Sequence, residues 1–141
     1  TTLFRSMTLE ITKQSLEKWH HMIQSNDLSN LNDLLADEVV FDSPVAYKPY
    51  EGRQVVFFIL TNVIQVFQNF TYHREFYTED GENVVLEFSA DVGDKSLKGI
   101  DMIRFNEQGK IVDFEVMIRP MSGLAALAEQ MGIRIAQFKP Q

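Results

Sequence analysis

The chain has 141 residues, is 45% hydrophobic with eleven Phe, and carries a formal net charge of −7. That length suits one domain with a sizeable core, and the acidic balance, which no run of Lys or Arg offsets, disfavours binding to nucleic acid or anionic lipid. With no Cys, disulfides, thiolate metal sites and thiol nucleophiles are excluded.

Residues 8–25 read as an amphipathic helix. Leu9, Leu16, Trp19 and Ile23 fall on one arc, and Glu10, Lys13, Gln14, Glu17 and His21 fall opposite. Residues 28–36 read as a short second helix with Leu31, Leu34 and Leu35 inward. Val39 to Asp42 read as a strand that Ser43-Pro44 ends, and residues 47–52 as a loop. Residues 54–68 are too long for a typical strand and read as a third helix, with Gln54, Thr61, Gln65 and Gln68 as its polar stripe and Phe58 within that stripe.

The second half reads as strands. Residues 70–77 alternate loosely, Glu79-Asp80-Gly81-Glu82 is a turn, and residues 84–92 put Val84, Leu86, Phe88 and Ala90 on one side. Residues 96–105 and 111–119 make a hairpin across Asn106 to Gly109. Ser122 can cap a final short helix carrying Leu124, Leu127, Ala128 and Met131, followed by a tail from Ile133. Helices first and strands afterwards make an α+β pattern. The expectation is one domain over residues 1–141, with its core at about 8–120 and a short helix and tail at 121–141. Several strands are apolar on both faces, so one face wraps the helices and the other meets a partner subunit. No apolar stretch is long enough to cross a bilayer, since residues 55–67 are interrupted by Thr61, Asn62 and Gln65. The start of the chain shows no signal-peptide pattern, so a cytoplasmic protein without a membrane partner is expected.

The hairpin strand from Gly99 to Phe105 carries one acid among apolar residues. If Asp101 points inward with Ile103 and Phe105, its carboxyl is paired, protonated or functional. His20, His21 and His73 form no cluster with ligand spacing, so no metal is expected. Gly-rich phosphate loops and a Gly-x-Ser-x-Gly elbow are absent, and no cofactor is expected.

The layout, with Leu-Leu-Ala-Asp-Glu-Val-Val-Phe-Asp-Ser-Pro-Val before a Pro…Gly loop, resembles the nuclear-transport-factor-2-like superfamily. Its Ile-Asp-x-x-Arg-Phe-Asn-x-x-Gly-Lys-x-Val hairpin resembles that of the ketosteroid isomerase-like and SnoaL-like (polyketide cyclase-like) branch. The resemblance spans residues 8–119. It implies a cone: a curved mixed or antiparallel sheet wrapped around N-terminal helices, a cystatin-like α+β barrel with a pocket at its open end. It also implies a homodimer through the convex face of the sheet.

Steroid isomerases abstract a proton next to a carbonyl with an Asp base, and hold the enolate oxygen with a Tyr hydroxyl and an Asp kept neutral by its apolar site. By the resemblance, Asp101 takes the neutral-Asp position, Trp19 the Tyr position and Ser43 the base position. An indole N–H is a much weaker acid than a phenol, and a lone Ser is no base near neutral pH. Asp42 could serve only if a bulge or the strand end turned it inward. The resemblance therefore implies a small apolar carbonyl compound as ligand, with Asp101 and Asp42 as catalytic candidates. Trp19, Ser43, Tyr47, Ile103 and Phe88 are candidates for contacting it. The chemistry implied is of the isomerase, cyclase or hydratase type, and ordinary steroid isomerisation is disfavoured. The alternative is a ligand-binding or dimeric scaffold protein without catalysis.

Overall fold

The structure, a computed structural model, describes residues 2–138. Its backbone is a mixed sheet of six strands: β1 (Leu35–Asp42), β2 (Tyr50–Glu51), β3 (Gln68–Tyr77), β4 (Asn83–Val92), β5 (Lys95–Phe105) and β6 (Ile111–Arg119). The strand order is β2-β1-β6-β5-β4-β3, and the sheet is curved and does not close. Among the described residues, only the β1–β6 pair is parallel. Strand β4 shows why one face is inward. Its residues alternate strictly between buried and half-buried, with Val84, Leu86, Phe88, Ala90 and Val92 all buried. Strand β5 follows the same phase through Leu97, Asp101, Ile103 and Phe105.

Three α-helices fill and close the concave side: α1 (Thr2–Ser25), α2 (Arg53–Val66) and α3 (Met121–Ala136). One core cluster joins Leu16 and Trp19 of α1 to Ile59 and Leu60 of α2 and to Leu86, Ile103 and Phe114 of the sheet. A second joins Leu127 and Met131 of α3 to Phe88, Ala90, Val92 and Leu97.

Helix α1 is fastened to two strand-connecting turns by buried hydroxyls. Thr12 Oγ1 donates to Gly81 O at 2.7 Å, and Ser15 Oγ donates to Gly109 O at 2.6 Å. Both turns need glycine. Gly81 and Gly109 have φ of +77° and +76°, where side chains are strained, and a Cβ at either would meet α1 at 2.8 Å and 2.6 Å respectively. Asn106 sets the second turn, its Oδ1 accepting from the N–H groups of Gln108 and Lys110.

Several expected elements differ, among them the loop over residues 47–52, whose Tyr50–Glu51 pair with β1 as β2. Helix α1 starts at Thr2, six residues before the expected start at Thr8, because no Pro or Gly interrupts it there; Arg5 reaches Glu79 at 2.7 Å. The expected helix over 28–36 is a single 3-10 turn, Leu31–Asp33. Leu35 pairs instead with Ile111 of β6, and Ile111 N–H donates to Leu34 O at 2.8 Å, so ladder pairing overrides the local helical pattern. Helix α2 stops at Val66, and Gln68 already belongs to β3. Helix α3 runs to Ala136, past the expected start of the tail at Ile133. It begins after Pro120 with no side-chain cap, so Ser122 sits inside its first turn. The rest of the expected tail, residues 139–141, lies outside the described residues. Among the described residues, no helix is long and apolar enough to cross a membrane.

Gly109→Ala should lower stability by about 2 kcal/mol or more, because φ strain and the close approach to Ser15 act together. Gly132→Ala, in α3 with nothing within 4 Å of the new methyl, should raise it by about 0.5–1 kcal/mol. Urea unfolding of the two variants and wild type checks both signs.

Candidate functional site

Asp101 sits mid-way along β5, paired across the ladder with Leu86 of β4 and Val116 of β6. The strand phase that buries Ile103 and Phe105 also buries it, and it is 5% exposed. Its nearest polar partner comes from β3. Tyr72 donates its hydroxyl proton to Asp101 Oδ2 at 2.6 Å. Trp19 of α1 donates its indole N–H to the Tyr72 oxygen at 2.9 Å. An indole can only donate, so the Tyr72 oxygen must accept from it and aim its own proton at the acid. The result is a one-way chain from Trp19 through Tyr72 to Asp101.

The other carboxylate oxygen is open. Among the described residues, every fully buried side-chain oxygen or nitrogen has a hydrogen-bond partner. Asp101 Oδ1 has none, so it faces the cavity that Asp101 lines. Burial pushes the Asp101 carboxyl up to about 7, with the Tyr72 hydrogen bond pulling the other way. Burial, and then the charge of Asp101, push the Tyr72 phenol well above its ordinary range.

The cavity has a volume of about 90 Å³. Drug-sized ligand sites run to about 300–1,000 Å³, so this one has room for no more than a small molecule or the head of a larger one. Aromatic side chains dominate the wall nearest the acid. Phe70 stacks on Phe88 at 4.9 Å and meets Tyr72 edge-on at 4.9 Å, and Trp19 meets Phe114 edge-on at 5.4 Å. Ile59, Val63 and Phe67 line it from the α2 side. Helix α3 closes another side with Leu127, Met131 and Ile135. It is latched to α2 where Arg134 Nε donates to the buried Asn62 Oδ1 at 2.8 Å. Ser43, Pro44 and the 43% exposed Val45 form the mouth.

The structure thus brings together Asp101, Trp19, Ser43 and Phe88 on one cavity. It places three other sequence candidates elsewhere. Asp42 does not line the cavity: β1 has a register irregularity between Leu35 and Val40, but Phe41 remains the inward residue, so its neighbour points away. Tyr47 is fully exposed beyond the mouth. Ile103 is packed in the core and does not line the cavity. Tyr72 is the site residue that the sequence reading lacked. Strand β3 has register shifts on either side of it, between Gln68 and Thr71 and between Tyr72 and Glu75, and these blur the alternation that would mark it inward. Among the described residues, no group of three or more His, Asp or Glu could hold a metal ion.

Residues 16–114 match the SnoaL-like domain family. A structure named as a steroid delta-isomerase from Pseudomonas aeruginosa is 55% identical, with a TM-score of 0.89 over 91% of this chain and 93% of that one. An uncharacterised bacterial protein with a cystatin-like fold from Silicibacter pomeroyi DSS-3 is 36% identical, with a TM-score of 0.81 over 86% of this chain and 85% of that one. An NTF2-like protein of unknown function from Mesorhizobium loti, at 20% identity and a TM-score of 0.69 over 79% of this chain and 93% of that one, shares the fold. No curated protein matches the sequence.

The weakened acidity of Asp101 has a signed consequence. A carboxyl that holds its proton more tightly when folded contributes stability below its unfolded value of 3.8, and this is lost as pH rises through about 7. Asp101→Asn removes that loss. The variant should therefore gain on wild type by on the order of 4 kcal/mol between about pH 4 and pH 7, read from urea unfolding across that range. Tyr72→Phe leaves the Trp19 N–H unpaired and should cost about 1–3 kcal/mol. It should also raise the Asp101 titration midpoint in a carbon-13 carboxyl NMR titration, because the hydrogen bond lost is the one that lowers it.

Proposed function

This chain belongs to the SnoaL-like domain family, and we propose that its cavity binds a small apolar carbonyl compound and moves a proton next to that carbonyl. The observation that carries the reading is Asp101, with one oxygen held by Tyr72 and the other open to a mostly apolar space. In its neutral form Asp101 keeps its proton on Oδ1, because Oδ2 is already accepting from Tyr72. That proton passes to the ligand's carbonyl oxygen, the carboxylate so formed takes a proton from the neighbouring carbon to leave a neutral dienol, and Asp101 then delivers that proton to the far end of the diene as the hydroxyl proton returns to the carboxylate. A carboxyl titrating near 7 serves as acid or base near neutral pH. The P. aeruginosa relative supports double-bond migration as the reaction to test first. The small cavity argues against a fused-ring steroid, unless lining side chains give way.

A second reading is ligand binding without turnover. It is favoured by the absence, among the described residues, of any other carboxylate lining the cavity. Steroid isomerisation as described above needs a separate base. Ser43 is at the mouth, with its Oγ accepting the Val45 N–H at 3.2 Å, and Asp42 lies outside.

The proposed partner is a second copy of the chain. On the outer face, Val85 pairs with Met102 and Ile100 with Met117 across adjacent strands. Met102 and Met117 are 37% and 47% exposed, an apolar strip flanked by the Arg104–Asp113 and Arg74–Glu87 ion pairs.

Conversion of a small cyclic β,γ-unsaturated ketone to its conjugated isomer, followed by ultraviolet absorbance, separates the two readings. Wild type should accelerate it, with the rate falling as pH rises through about 7 as Asp101 loses its proton. Asp101→Asn should lower kcat by about 100-fold or more while changing ketone affinity little. Equal rates in the two proteins would leave the binding reading alone. Sedimentation should give wild type twice the mass of the chain, and Met117→Lys should give single chains.

A further inference from the structure

Among the described residues, the cavity carries one acidic side chain and no basic one. No Lys, Arg or His lines it, and Asp101 takes part in no ion pair among the described residues. When ionised, Asp101 has one hydrogen bond, from Tyr72, and an open Oδ1. A carboxylate so placed is under-compensated, and what it lacks is a cation with an N–H to donate. The walls suit such a cation. The rings of Trp19, Phe70, Tyr72 and Phe88 line the same cavity as the acid, and aromatic faces attract ammonium groups. The aliphatic remainder of the lining accepts a hydrocarbon body, and the net charge of −7 favours approach of cations.

We infer that the same cavity is a binding site for a small primary or secondary alkylammonium, its N–H donated to Asp101 Oδ1 and its hydrocarbon part held by the aromatic and aliphatic walls. The inference rests on small-molecule entry into the cavity, as in the preceding reading, but not on catalysis. One carboxyl then serves two ligand classes. Neutral, it donates to a carbonyl oxygen; ionised, it accepts from an ammonium. Protonation selects between them, so the two classes respond to pH in opposite directions.

Asp101 is the group that titrates. Tyr72 of β3 touches it, with its phenol pushed far up. Tyr50 of β2 lines the same cavity. Helix α1 presents Trp19, while His20 turns to Glu75 at 2.9 Å behind the Tyr72 ring. Strands β4 and β6 flank the acid with Leu86 and Val116, and α2 and α3 bring only apolar side chains to the cavity.

Isothermal titration calorimetry of the full chain with cyclopentylamine, cyclopentanone and cyclopentanol tests this. From about pH 6 to about pH 8, amine affinity should rise about tenfold, following the ionised fraction of Asp101, while ketone affinity falls. Asp101→Asn should weaken the amine at least about tenfold and abolish its pH response, while keeping the ketone, since the new amide still accepts from Tyr72 and offers an N–H. Tyr72→Phe keeps the carboxylate and should move the amine's pH response upward, which holds the test open if the Asn variant fails to fold. Amine affinity no better than that of cyclopentanol, or unchanged in Asp101→Asn, overturns the inference. Ketone binding without amine binding overturns it alone, whereas failure of both ligands also removes the carbonyl reading.

Discussion

A carboxyl group held in an apolar cone is the constraint around which the rest of this protein is arranged. The phase of β5 dictates that Asp101 is inward, because Ile103 and Phe105 are. An inward acid must be hydrogen-bonded, neutralised or both. Tyr72 answers it, and Trp19 answers Tyr72, in an order fixed by the indole's being a donor only. The chain of donors ends at one carboxylate oxygen and leaves the other without a protein partner among the described residues.

That geometry depends on where α1 lies. Thr12 and Ser15 tie the helix to the carbonyls of Gly81 and Gly109, and glycine at both positions lets the backbones approach. Trp19 lies four residues beyond Ser15, on the same helix face, so fastening α1 to the turns also sets the indole over the sheet. Helix α3 completes the enclosure. It packs Leu127 and Met131 against Phe88 and is keyed to α2 through Arg134 and Asn62. The cavity is thus made by the sheet and all three α-helices, and its small volume reflects how closely they meet.

The fold is shared with relatives of several descriptions, so it does not name a reaction. The local chemistry is more restrictive. One carboxyl near neutrality, a phenol too weakly acidic to ionise, and an indole donor supply hydrogen bonds and a single exchangeable proton. They supply no second carboxylate, and the serine at the mouth cannot replace one. A reaction here is limited to what one carboxyl can do by turns as acid and base, and a ligand to what one carboxyl can hold.

Much of the frame was legible in the residues. The strict alternation in β4, the Asn106–Gly109 turn and the single acid of β5 each depend on neighbours close in sequence or on strand phase, and each stands where expected. Where the structure departs from local expectation, contacts distant in sequence decide. The helix expected over 28–36 became a turn and a strand because Leu35 found Ile111, which is 76 positions away. Whether Asp42 and Tyr47 approach the cavity depends on the direction of Phe41 and on the course of the loop, which no local pattern carries. Tyr72 was hidden by irregularities in β3 that only pairing with β4 creates. The sequence alone determined an α+β chain with an inward acid at Asp101, because burial phase is a local property of a strand. Only the tertiary structure decided that Tyr72 meets that acid, that Trp19 meets Tyr72 and that the second carboxylate oxygen has no protein partner among the described residues, because those contacts join α1, β3 and β5 across separations no local pattern encodes.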